Sequence, residues 1–159
     1  MSTEIQQETE TAEEQTAEQI REEVAEDLSE KRREQIQEDL ESAEKTVQLK
    51  IFRYDPEIEG KEEPRFDSFT VPFHRGMTVL DALIYARDRY DSSLTFRHSC
   101  RQAVCGSDAL FVNGQQRLGC KTQMGDLEHP VRIEPLPHQD VVKDLVVDME
   151  HFYDQMHAV

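Results

Sequence analysis

Three cysteines, Cys100, Cys105 and Cys120, are the only thiols in the chain, and they fall within 21 residues as C-x4-C-x14-C. A carboxylate, Asp108, follows Cys105 by three residues. Thiolates are soft donors, so three in one segment point to zinc or to an iron–sulfur centre. Structural zinc sites bring their ligands in short C-x2–4-C knuckles from two separate turns. The spacing here is instead that of the plant-type [2Fe–2S] pattern, C-x4-C-x2-C…C, with aspartate in the third place and Cys120 as the distal ligand. Two irons bridged by two sulfides need four protein ligands. One loop can supply three of them while turning its N–H groups toward the sulfides, and Gly106 lets the backbone come close. Other readings stay open on spacing alone. Zinc with His98 as fourth ligand is one, and buried core cysteines are another. Asp108 as an ordinary acid capping the next turn, with water completing the iron, is a third. His74, His129, His138, His151 and His157 show no ligand spacing and read as surface residues. Arg97 and Arg101 flank Cys100, where they either offset a cluster's negative charge or simply solubilise the loop.

The elements around this loop follow from hydrophobic period. "VQLKIFRY" alternates Val47, Leu49 and Ile51 with polar neighbours and predicts a half-buried strand. "FDSFTVPF" predicts a second, paired with the first across a long polar loop broken by Pro56, Gly60 and Pro64. Thr78 and Asp81 form a T-x-x-D capping box, and Leu80, Leu83, Ile84 and Arg87 follow at helical spacing, so a helix is expected from about 78 to 90. After the cysteine loop, "ALFVNGQQRLGC" predicts a strand, an Asn113-Gly114 turn and a second strand ending at Cys120. "VRIEPLP" predicts a further strand, stopped by Pro135 and Pro137. Val141, Val142, Leu145, Met149 and Phe152 line one face of a helix expected over about 140–155, its valines held helical by packing. The fold class is α+β, a small mixed sheet packed on one helix.

Charge divides the chain. Its net −16 is concentrated at the front: residues 1–45 hold 16 acids and 5 bases, with no aromatic residue, proline or glycine. Ile20, Val24, Leu28, Ile36 and Leu40 make a faint helical stripe there, so this segment reads as a largely disordered or loosely helical tail, or as a helix that docks on a partner. So acidic a chain has none of the basic stripe that phosphate binding needs, which argues against nucleic acid, and it argues equally against electrostatic docking on an anionic bilayer. An acidic surface also suits work in high salt. No stretch approaches a membrane span, and "MSTEIQQETE" lacks the marks of a signal peptide, so a cytoplasmic setting with reduced thiols is expected.

The stretch "SCRQAVCGSDALFVNGQQRLGC" resembles the [2Fe–2S] loop of the iron–sulfur subunits of succinate dehydrogenase and fumarate reductase. "VQLKIFRYDPE", "RGMTVLDAL" and "VRIEPLPHQDVVKDLVVDMEHFYDQ" are similar to that family's opening strand, first helix and exit toward a second domain, so the resemblance covers about residues 46–156. It implies a β-grasp, 2Fe-2S ferredoxin-like domain over 46–138, and over 139–159 the start of a helical second domain. It implies Cys100, Cys105, Asp108 and Cys120 as the iron ligands, since family members carry Cys or Asp at the third position. Ala103 departs from the glycine that is frequent between the first two cysteines, and an alanine disfavours positive φ. The [4Fe–4S] and [3Fe–4S] clusters of relatives belong to the second domain, whose cysteines are not in this sequence. The resemblance further implies electron transfer between a flavoprotein subunit and quinone, membrane-anchor subunits as partners, and a peripheral position on the inner face of the cell membrane. It implies no general acid, base or nucleophile in this chain.

Overall fold

A computed structural model describes residues 25–58, 60 and 63–157. The chain divides into two compact units, Met1–Glu38 and Asp39–Val159. Residues 25–42 are helical (α1), with Leu28 exposed and Ile36 and Leu40 half-buried; Ile20 and Val24 of the proposed stripe lie outside the described residues.

In the second unit, β1 (Lys45–Arg53) buries every second side chain: Val47, Leu49 and Ile51 are 6%, 0% and 0% exposed. Period-two burial means that one face of the strand meets the core and the other meets solvent. β2 (Arg65–Phe73) pairs with it antiparallel along its whole length, from Lys45 opposite Phe73 to Arg53 opposite Arg65, as a hairpin. β3 (Ala109–Val112) and β4 (Gln115–Leu118) form the expected second hairpin. Its turn residues Asn113 and Gly114 have φ of 47° and 79°, the left-handed pair that such a tight hairpin needs. β5 (Val131–Glu134) enters the middle of the sheet, parallel to β1 and antiparallel to β3, giving the order β2-β1-β5-β3-β4.

The helix α2 (Val79–Tyr85) begins at the predicted capping box: Asp81 N donates to Thr78 Oγ1 at 3.2 Å, and Thr78 N donates to Asp81 Oδ2 at 2.9 Å. Val79, Leu80, Ala82 and Leu83 are buried, and a wider turn over Ala86–Tyr90 carries the helix on, closed by Asp91 N donating to Ala86 O at 3.1 Å. The core joins this helix face to Leu49, Ile51, Val71, Val112, Val131 and Ile133 of the sheet. Each such side chain contributes roughly 1.5–3 kcal/mol relative to exposure. The expected α+β, β-grasp arrangement is the one observed.

Two expectations are corrected. The strand after the Asn-Gly turn stops at Leu118 rather than Cys120: Gly119 N makes one last ladder bond to Asp108 O at 2.9 Å, but Gly119 O accepts from Leu80 N at 3.0 Å, and Lys121 N and Thr122 N turn back onto Leu118 O at 3.1 Å and 3.0 Å. More substantially, residues 141–147 are not helical. Val141–Lys143 (β6) and Val146–Val147 (β7) pair as a tight hairpin, and the helix α3 spans only Glu150–His157. Asp144 takes a left-handed φ of 47° at the turn and is 1% exposed. Its carboxylate accepts from Arg53 Nε and Tyr54 N at 3.0 Å and from Thr95 N at 2.9 Å. A helix would withdraw that carboxylate from three donors, taking from Arg53 its most buried partner and from the half-buried Tyr54 and Thr95 N–H groups the acceptor they have here, and branched Val141, Val142, Val146 and Val147 already favour extended backbone. Leu145 and Val147 enter the core of the second unit, whereas Val142 is 51% exposed.

Candidate iron–sulfur site

The cysteine loop is anchored at both ends before it does any chemistry. At its start, Thr95 is held by Asp144 through its N–H, and its carbonyl accepts from Leu145 N at 3.2 Å. Where the chain returns, Val79 N and Leu80 N at the beginning of α2 donate to Thr122 O (2.9 Å) and Gly119 O (3.0 Å). The Gly119 Cα lies so close to Asp108 that a Cβ there would sit 3.4 Å from its carbonyl oxygen and 3.5 Å from Oδ2.

Within the loop, backbone N–H groups turn toward sulfur. Gln102 N and Cys105 N donate to Cys100 Sγ at 3.4 Å and 3.3 Å, and Ala103 N donates to Cys120 Sγ at 3.3 Å. This needs a backbone that alternates in hand: Arg101, Ala103 and Gly106 have φ of 55°, 58° and 70°. Ala103 therefore adopts the positive φ that its side chain disfavours, at a cost of roughly 1–2 kcal/mol. All three thiols are free, Cys105 exposed and Cys100 and Cys120 half-buried. Ser107 Oγ lies 3.1 Å from Cys105 Sγ, and the hydroxyl chiefly holds that thiol down to a pKa of about 6. The Cys120 thiol is pushed up, first by desolvation and then by its hydrogen bond to Asp108.

Asp108 is 3% exposed. Its Oδ2 accepts a short hydrogen bond from Cys120 N, while Oδ1 is buried and has no hydrogen-bond partner. A carboxylate oxygen left bare in the interior costs about 1–3 kcal/mol or more unless something coordinates it. A turn-capping role accounts for Oδ2 on Cys120 N but leaves Oδ1 bare, and that orphaned oxygen, beside N–H groups turned onto cysteine sulfur, fits an iron. Among the described residues no three His, Cys, Asp or Glu side chains close around a point that a single ion would occupy. A diiron centre asks for only two protein ligands on each iron, with sulfides between. His98 stacks against Phe96 with ring centroids 5.5 Å apart. His74 is exposed, with its Nδ1 3.4 Å from Arg75 O, and the side chains of His151 and His157 lie outside the described residues.

Sequence reasoning missed Ser107 and the anchoring pair Asp144 and Thr95. A signal for the latter existed, since "VVKDLVV" sets branched residues symmetrically about a polar turn.

A mixed sheet clasping one helix, with three thiols and a buried carboxylate around a single loop, defines an iron–sulfur ferredoxin-like domain. Comparison with known proteins agrees: the chain belongs to the 2Fe-2S iron-sulfur cluster binding domain family, whose profile matches residues 48–154. It is 43% identical over 120 residues to the succinate dehydrogenase iron-sulfur subunit of Paracoccus denitrificans, covering 75% of this chain and 46% of that protein. It is 40% identical over 113 residues to the fumarate reductase iron-sulfur subunit of Haemophilus influenzae, covering 71% and 43%. A chain of the Mycobacterium smegmatis Sdh1 complex in the apo form superposes with a TM-score of 0.64 at 27% identity, over 72% of this chain and 46% of that one. The chain thus spans less than half the length of these relatives. No helix of the described residues is long and apolar enough to cross a membrane.

Proposed function

We propose that this protein is the electron-transfer iron–sulfur component of a succinate dehydrogenase or fumarate reductase, with Cys100, Cys105, Asp108 and Cys120 holding a [2Fe–2S] cluster. When bound, the cluster supplies one-electron redox chemistry that no side chain of this protein can perform. The protein's residues hold it and set its surroundings. The N–H groups of Gln102, Ala103 and Cys105 stabilise negative charge on the sulfurs, and Ser107 does the same at Cys105. Asp108 offers a harder oxygen donor that can be protonated away from iron. On this reading a flavoprotein subunit carries the dicarboxylate chemistry, electrons pass between it and quinone by way of further clusters, and membrane-anchor subunits hold the complex peripherally on the inner face of the membrane. The domain division is then an acidic tail over 1–45, a cluster domain that runs from 46 past the expected boundary at 138 through the β6–β7 hairpin, whose Leu145 and Val147 lie in its core, and an exit segment after it toward a helical second domain. Resemblance to subunits of both enzymes leaves the direction of the reaction to experiment.

The buried, unpartnered Oδ1 of Asp108 beside the three thiols is the observation that carries the reading. Anaerobically prepared protein should be coloured, contain two irons and two sulfides for each chain (roughly equal amounts of each), and bleach with dithionite. Colourless protein holding zinc would overturn the assignment. Copurification with a flavoprotein tests the assembly.

A further inference from the structure

The charge of this chain reverses around the cysteine loop. Between Ser92 and Lys121 four bases stand against a single acid, the buried Asp108, while the other 129 residues hold 14 bases and 33 acids. The four are Arg97, Arg101, Arg117 and Lys121, all exposed. Most described cations elsewhere in the second unit are committed to carboxylates. Arg53, Arg65, Arg87, Arg89, Arg132 and Lys143 each have one within 3.5 Å. Among the described residues no carboxylate stands at that range from any of the loop's four, and the Arg117 guanidinium meets only the neutral amide of Gln115, at 2.6 Å.

Position adds to charge. Arg97 and Arg117 line one groove of 720 Å³ together with Cys105, and Arg101 and Lys121 follow Cys100 and Cys120 directly in sequence. At the tip of the loop Val104 is 81% exposed, an apolar contact point between two cysteines. A cluster with three thiolates and a carboxylate carries roughly two negative charges when oxidised and about three when reduced, so four cations still leave this face positive.

We propose that Arg97, Arg101, Arg117 and Lys121 form a cationic collar that makes this loop the protein's electron-exchange face, matched to a partner protein presenting carboxylates. The inference rests on the cluster reading above and deepens it by stating the chemistry of the partner's surface. Charge acts at contact range here. The Debye length is about 10 Å at 0.1 M salt, so an approaching anion meets the collar rather than the net −16 of the whole chain.

Two measurements on the full chain test it. The first is binding of hexacyanocobaltate(III), a redox-inert anion, read as broadening of its cobalt NMR line, which needs no electron transfer. The second is stopped-flow oxidation of the dithionite-reduced protein. One electron leaves the cluster and converts ferricyanide to ferrocyanide, or hexaammineruthenium(III) to the ruthenium(II) ion. The collar requires that the ferricyanide rate fall about threefold or more between 0.1 and 0.5 M potassium chloride while the ruthenium rate rises. It requires the R101E/R117E variant to lose anion broadening and the salt-dependent ferricyanide advantage, with R101Q/R117Q intermediate. Lys50→Glu, a charge reversal on the exposed face of β1, should change neither. A ferricyanide rate that rises with salt, or variants that behave as wild type in an iron-loaded protein, would overturn the collar and leave the cluster standing. A preparation without iron and sulfide overturns the electron-exchange role together with the cluster, even if the anion still binds.

Discussion

Arg53 and the cysteine loop solve the problem of buried polarity in opposite ways. Arg53, 2% exposed, donates to Asp144 at 3.0 Å, Asp91 at 2.7 Å, Asp67 at 3.3 Å and Ser93 at 2.8 Å, and thereby ties together β1, β2, the end of α2 and the β6–β7 turn. Each Arg53 nitrogen finds its partner within the protein, although Arg65 Nη1, on the residue that pairs with Asp67, is buried without one. In the loop, by contrast, Asp108 Oδ1 is buried without a partner, and Arg101 and Ala103 hold a strained hand that turns N–H groups to sulfur. A folded chain tolerates bare polarity and strain where something outside it completes the set. The hub stabilises the fold, and the loop is shaped for a guest.

The contrast breaks most visibly at the hub. Asp144→Ala leaves Arg53 without its most buried partner and frees Thr95, so chemical denaturation should show a loss of about 3–5 kcal/mol, the range for uncoupling a buried ion pair. An unchanged midpoint would mean that the hub is ornamental. Asp108→Asn should act on the guest instead of the host. The fold's circular dichroism should persist, while iron and sulfide content drops or the visible spectrum changes and loss of the cluster at acid pH shifts. If content, spectrum and acid stability all match wild type, Asp108 is no ligand. Ala103→Gly relieves the positive φ and should stabilise the protein by up to about 1 kcal/mol, because glycine's extra freedom in the unfolded chain offsets part of the strain. A destabilised glycine variant would show that the Ala103 methyl is needed for packing.

The smallest effect concerns pH. Burial works against the Asp91 carboxylate, but hydrogen bonds from Ser93 and Arg53 overcome it and hold the pKa at about 2. A folded value below the unfolded one gives stability that is full above about pH 4 and is lost as pH falls toward 2. Asp91→Asn should lower stability at neutral pH, where the wild-type carboxylate makes its full contribution, and flatten that portion of the acid-unfolding curve so that the two proteins converge toward pH 2. An identical slope in the variant would place the acid sensitivity on other carboxylates.

Much of the scaffold could be read from period and punctuation. The alternation in β1, the capping box at Thr78 and the Asn113-Gly114 turn are local signals whose energetics are settled within a few residues, and all three appear as expected. The segment 141–147 misled because its valines and Leu145 satisfy a helical stripe as well as an extended one. What decided between them was a partner 91 residues away, Arg53, which claims the carboxylate of Asp144. Ala103 taught the same lesson in reverse. Local preference spoke against a positive φ, and the closure of the loop imposed it.

By itself the sequence determined the three thiols, the nearby carboxylate and their spacing, because residue types and the number of residues between them are covalent facts. It also determined where charge collects, since that needs only counting. Tertiary structure alone decided that Asp108 is buried with one oxygen bare, and that the Asp144 turn anchors the mouth of the loop. Both depend on long-range contacts that sum many weak interactions across strands distant in the chain, and no local window contains them.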